Sequence, residues 1–208
     1  MSIQRLRDIV KLAVPTLFEQ IQGGRVRCEN EATLQLHLGR IITAVADLKI
    51  ISPRETFSID LERPLHGAGE KRGRIDIWFG ITGDDGREWR CALELKLFKR
   101  VNQCEPNNRY DVFKDIARLE QLHDVADLGF MLVATDHMHY VEHGFYSSDT
   151  SDFDFRHGES YRAGTKLTYR TGGYGEPITL ARDYQFEWID ATPPLYFLLL
   201  EVIPEQGA

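Results

Sequence analysis

The order of periodic segments along these 208 residues predicts an α/β fold with a mixed central sheet flanked by helices. Three observations carry that prediction. Apolar residues recur at helical spacing over 3–22, 31–48 and 110–126. Runs rich in β-branched and aromatic residues occupy 55–61, 74–81 and 89–98. A last apolar run, 128–135, follows the third helix, so it can return parallel to the preceding strand through a helical crossover.

In the first segment Ile3, Leu6, Ile9, Ala13, Leu17 and Ile21 share a face, Pro15 interrupts it and Gly23-Gly24 stops it. A kinked helix or two short ones is expected. The second helix has Asn30 as its N-cap, Glu31 at its head, and Leu34, Leu38, Ile41, Ile42 and Val45 on one stripe. Of the three strands that follow, the last two form a hairpin through Gly83-Asp84-Asp85-Gly86, a three-residue loop whose glycine takes the left-handed position. Residue 83 then pairs with residue 87, and the register follows. Ile75 faces Leu95, Ile77 faces Leu93 and Phe79 faces Cys91 on one apolar face. The other face sets Asp76 against Glu94, with Lys96 two residues along.

Residues 136–176 are rich in Asp, Ser, His, Gly and Tyr and read as an insertion with a hairpin turning at Gly172-Gly173. Residues 184–189 suggest another strand, and Pro193-Pro194 introduces a short apolar helix ending near Pro204. The expected organisation is one domain over 1–208: a helical extension at 1–27, a core at 28–135, and the insertion with C-terminal elements at 136–208.

With 42% hydrophobic and 27% charged residues, the chain has the profile of a globular protein, which excludes disordered, collagenous and coiled-coil classes. The 32 acidic residues exceed the 25 basic ones, a net charge of −7, so a polyanionic partner must be met by a local basic patch or a bound metal. Cys28, Cys91 and Cys104 form no Cys-X-X-Cys pair, which suits a reducing cytoplasm. The amphipathic start and the shortness of the longest apolar run, Leu195 to Leu200, suggest a protein neither exported nor membrane-embedded.

Two carboxylates facing each other on a sheet repel unless a cation or proton lies between them. Oxygen ligands suit Mg2+, with Mn2+ as a substitute, and a sparse two-carboxylate site implies a phosphate-bearing substrate. Asp76 and Glu94 are thus candidate metal ligands, Lys96 the group beside the attacking water, and Glu31 a further ligand if its helix end packs on the same sheet edge. The alternative for Glu94 and Lys96 is a structural ion pair. For Glu31 it is a helix-dipole role.

RIDIWF followed by CALELKLFKR resembles the PD-(D/E)XK nucleases, the restriction-endonuclease-like fold, over about residues 28–135. The resemblance implies an αβββαβ core and gives Asp76, Glu94 and Lys96 the places of the motif's two acids and lysine. Glu31 matches the glutamate many members carry on the first core helix. What it implies is Mg2+-dependent phosphodiester hydrolysis by a metal-activated water, in DNA or, less often, RNA. Ile75 stands where the motif has proline, and no Gln-X-X-X-Tyr signature follows, so the subfamily stays open. The second reading is a catalytically silent member of this fold serving as a nucleic-acid-binding or protein-interaction module.

Lys99, Arg100, Lys114, Arg118 and Arg74, with Arg63, Lys71, Arg72 and Arg109, are candidates for phosphate contacts. His137, His139 and His143 with Asp136 suggest a transition-metal cluster but lack a further ligand at firm spacing. Tyr110, Phe113, Tyr140, Phe145 and Tyr146 are either base-stacking or core residues. A homodimer is plausible for cutting two strands, and Leu195 to Leu200 is either core or interface.

Overall fold

A computed structural model describes residues 3–65, 73–102, 105–142, 148–170, 174–189 and 194–205. The chain opens with α1 (Ile3–Gln22) and α2 (Glu31–Lys49). Pro15 lies inside α1, which is one helix and not two. Asn30 caps α2 as expected, its side chain accepting the Thr33 N–H at 2.9 Å. Then come β1 (Thr56–Pro64), β2 (Arg74–Thr82), β3 (Glu88–Phe98), α3 (Glu105–Glu120) and β4 (Leu128–Thr135). This is the helix, three strands, helix, strand order read from the sequence.

The hairpin register holds. Gly83 N–H bonds the Arg87 carbonyl at 2.9 Å, Gly86 has φ +77, and Phe79 lies opposite Cys91 and Ile77 opposite Leu93. β4 runs parallel to β3, as a helical crossover requires.

α3 ends earlier than its apolar spacing suggests. Leu122, Val125 and Ala126 lie in successive turns after it, and the Val125 carbonyl accepts the Trp78 indole N–H at 2.9 Å. The expected C-terminal helix is instead β10 (Tyr196–Val202), antiparallel to β4. A short apolar run suits a buried strand as well as a buried helix, and an open edge of β4 decides between them. Leu195, Phe197, Leu198 and Leu200 are buried in this chain's own core, so the interface reading of that segment falls.

Within the insertion, β5 (Ser160–Tyr161) pairs with β8 (Tyr184–Gln185), and β6 (Lys166–Leu167) pairs with β7 (Ile178–Thr179). The expected hairpin is therefore nested, with its Gly172-Gly173 turn outside the described residues. The segment expected as one strand splits between β8 and β9 (Trp188–Ile189), which joins the main sheet beside β10.

The main sheet has the order β1-β2-β3-β4-β10-β9 and two covered faces. On one, α1 and α2 pack over Ile77, Phe79, Cys91, Leu93, Leu95, Phe130 and Leu132. On the other, α3 and the insertion pack over Trp78, Ala92, Met131, Val133 and Leu198. This three-layer arrangement is what near-continuous burial along β4 requires. Glu120 fastens the insertion to α3, its buried carboxylate accepting the N–H groups of Ala181 and Arg182 at 2.9 and 3.1 Å and the Tyr184 hydroxyl at 2.8 Å. No described helix is long and apolar enough to cross a membrane.

Candidate active site

The sheet is disturbed at Asp76. The β2–β3 pairing stops at Ile77 opposite Leu93, so Asp76 and Glu94 stand across a fork and not at a paired position. The Asp76 carboxylate turns to the backbone, accepting the Leu95 N–H at 2.6 Å. On the other side, β1 and β2 pair at Leu61–Ile77 and Arg63–Ile75 but not between, where Glu62 has φ +56. A non-glycine residue in that region is strained. The Gln35 amide enters the opening, its Nε2 donating to the Asp76 carbonyl at 2.6 Å and to Glu62 Oε1 at 3.1 Å. The same twist breaks the alternation of β2: Ile75 packs with α3 and not on the face of Ile77 and Phe79 as its spacing suggests.

Glu94 and Lys96 project toward α3. Lys96 Nζ lies 2.7 Å from Asp115 Oδ2, and Arg118 Nη2 lies 2.9 Å from Asp115 Oδ1 and 2.5 Å from Glu94 Oε2. The Glu94 contact is a single close one, poorly aligned for a hydrogen bond, and the other oxygen, Oε1, is buried with no donor. Lys96 and Glu94 thus do not pair with each other, so the simple ion-pair reading falls. Glu31 stands at the rim with its Oε2 accepting the Leu97 N–H at 3.3 Å, so a position at the head of α2 does reach the sheet.

The three carboxyls bind protons more tightly than ordinary ones. Burial raises Glu94 well above its usual value, against the pull of Arg118 and with Asp115 and Asp76 adding repulsion. Burial likewise raises Asp76, opposed by the Leu95 N–H and Lys96. Burial also raises Glu31, with Lys96 opposing and Asp76 adding to it, and the exposure of the residue to solvent limits the effect. For Lys96 burial opposes the ammonium, but Asp115, Glu31 and Asp76 outweigh it and hold the group protonated. With every carboxyl ionised, the four acids Glu31, Asp76, Glu94 and Asp115 would face the two cations Lys96 and Arg118 with two negative charges left over, which a proton or a cation must offset.

That balance and the undonated Oε1 of Glu94 fit a divalent cation with oxygen ligands. Among the described residues, no three His, Cys, Asp or Glu side chains stand close enough together to hold a metal ion, so a cation here would have to draw Glu31, Asp76 and Glu94 closer. Because the folded state holds the Glu94 proton to higher pH than the unfolded chain does, its contribution weakens stability as pH rises from the ordinary carboxylate range. Glu94→Gln should therefore raise the metal-free melting temperature at pH 7.5 by about 2–4 °C, roughly 1 kcal/mol for a chain of this length. The gain should shrink at about pH 4.5, near the ordinary carboxyl value, where Glu94 keeps its proton. A lower melting temperature at pH 7.5 would contradict the dominance of burial.

Of the expected phosphate contacts, Arg100, Lys114 and Arg74 are exposed. Arg100 and Lys114 form no ion pair among the described residues, and Arg74 has only a distant one, 3.8 Å from Glu62. Lys99 lies 3.8 Å from Asp136. Arg118 belongs to the site itself, and Arg109 is fully buried near the Tyr140 and Phe155 rings, so neither forms part of an outer basic surface. Arg63 stacks on Trp78 at 3.7 Å. Lys71, Arg72, Cys104, His143, Phe145 and Tyr146 lie outside the described residues. His137 Nδ1 accepts the His139 N–H at 3.2 Å, and Asp136 accepts the Arg100 N–H at 2.7 Å, so these groups cap backbone. Tyr110, Phe113 and Tyr140 are core residues.

Gln35, Glu62 and Asp115 were not among the expected site residues. One signal existed for Asp115: it lies on the stripe of Val112, Ile116 and Leu119, where a carboxylate is out of place. No family model, curated protein or solved structure matches this chain.

Proposed function

We propose that the protein is a metal-dependent phosphodiester hydrolase, a nuclease with DNA as the favoured substrate and RNA as the other. The observation that carries this reading is the buried Glu94 carboxylate, its Oε1 without a donor, gathered with Asp76 and Lys96 at a fork in the sheet. The resemblance of RIDIWF and CALELKLFKR to the PD-(D/E)XK motif supports it and suggests a restriction-endonuclease-like core.

Asp76, Glu94 and Glu31 are the residues that would hold Mg2+ or Mn2+. Bound there, the cation would supply Lewis acidity toward a phosphoryl oxygen and acidify water. Lys96, held protonated by Asp115, is a donor and not a base. Its remaining N–H groups can orient the attacking water or stabilise charge growing on the phosphate. Glu31, at the rim, can accept a hydrogen bond from water entering the fork. Exposed Arg74, Arg100 and Lys114 offer phosphate contacts outside it.

The test is incubation of supercoiled plasmid, single-stranded DNA and RNA with Mg2+ or Mn2+, comparing wild type with Lys96→Ala purified identically. Metal-dependent cleavage confined to the wild type is expected. Equal cleavage by both proteins would contradict the assigned site, and absence of cleavage together with absence of divalent binding would favour the binding-module reading.

A further inference from the structure

We propose that Arg118 is the resident counter-ion of Glu94, a positioning residue whose guanidinium occupies the carboxylate until a divalent cation displaces it and so sets the affinity at which that cation enters. The inference rests on the reading of this cluster as a divalent site.

The arm that carries it is one turn of α3. Asp115 and Arg118 are three residues apart and share a helix face. Asp115 divides its two oxygens, Oδ2 to Lys96 at 2.7 Å and Oδ1 to Arg118 at 2.9 Å, and so aims both cations at the fork. Arg118 then reaches Glu94 Oε2 at 2.5 Å through the same Nη2 that Asp115 holds.

The contact neutralises charge without satisfying it. Glu94 Oε2 has one close, poorly aligned contact, Oε1 has no donor, and Arg118 Nε is buried with no acceptor, whereas a guanidinium opposite a carboxylate commonly makes two parallel bonds. Glu94 is therefore held by proximity to a positive charge, and its lone pairs stay available. The Arg118 side chain is 29% exposed, so it has a route outward, and its bond to Asp115 survives departure from Glu94. A divalent cation and a guanidinium at one buried carboxylate repel each other strongly. The two occupants are alternatives.

The test is calorimetric titration of Mn2+ into the metal-free full chain, wild type against Arg118→Gln. Arg118→Gln is expected to bind Mn2+ about tenfold more tightly, one positive charge having left the carboxylate. Its metal-free melting temperature should fall below that of the wild type, and this difference should shrink to the part owed to Asp115 between Glu94→Gln and the Arg118→Gln/Glu94→Gln double variant. A merely structural arginine would give the first loss of stability but no gain in affinity.

Unchanged or weaker Mn2+ binding in Arg118→Gln, with the wild type binding, would overturn this inference and leave the proposed function standing. No binding by either protein would overturn both. Should Arg118→Gln not fold without metal, Arg118→Met, which removes the charge but keeps the apolar stem, is titrated instead. A similarly tighter affinity is then expected, and an unchanged one overturns the inference.

Discussion

Asp76→Ala and Lys96→Ala should each lower divalent-dependent phosphodiester cleavage by about a thousandfold, the scale of removing a group that acts on charge in the transition state. The two variants should differ in binding. Asp76→Ala removes a carboxylate that the structure sets at the fork, with its Oδ2 on the Leu95 N–H, and should lose Mn2+ affinity as well as activity. Lys96→Ala removes no oxygen ligand and should keep Mn2+ affinity. Because Asp115 lies 2.7 Å from the ammonium and holds it protonated, wild-type activity should show no descending limb from Lys96 at mildly alkaline pH. Steady-state cleavage with matched titrations checks all three points. A Lys96→Ala variant with wild-type turnover would remove the lysine from the mechanism.

Phe113→Ala should destabilise the protein by about 3–5 kcal/mol, the range for deleting a fully buried aromatic side chain. Its ring lies at centroid distances of 5.6 Å from Phe153, 5.2 Å from Tyr161 and 5.5 Å from Phe186, joining α3 to the insertion. The same helix turns Asp115 and Arg118 toward the sheet, so loosening it should also weaken the hold on Lys96. Urea unfolding measures the first effect. A loss under about 1 kcal/mol would mean that the insertion packs independently of α3.

The sheet core could be read ahead of the structure because its signals are local. The Gly83-Asp84-Asp85-Gly86 loop determines where residue 83 meets residue 87, and that register holds to Ile77 opposite Leu93. Asp76, Glu94 and Lys96 lie close enough to act on one another electrostatically, and Glu31, whose place the spacing left open, reaches the Leu97 N–H beside them.

What could not be read depends on contacts between distant segments. The strand alternation fails at Asp76 because Gln35, from α2, opens the β1–β2 pair beside a strained Glu62. The acid Asp115 sits on the apolar stripe of α3, which marks it as buried, but only packing against the sheet puts it on Lys96. The segment after Pro194 is a strand because β4 offers an unpaired edge, a fact about the assembled sheet and not about residues 195–202. Arg118 likewise reads from its spacing alone as an outer phosphate contact. Its neighbour Glu94 is 24 positions away in sequence.

The central claim is that the carboxylates at the fork form a divalent-cation site, and titration of Mn2+ into wild type, Asp76→Ala and Glu94→Gln tests it most directly. Saturable binding near one ion per chain, accompanied by proton release and lost in both variants, is the expected result, since the raised carboxyls must give up protons to bind metal. Binding that is absent, or equally strong in all three proteins, would contradict it.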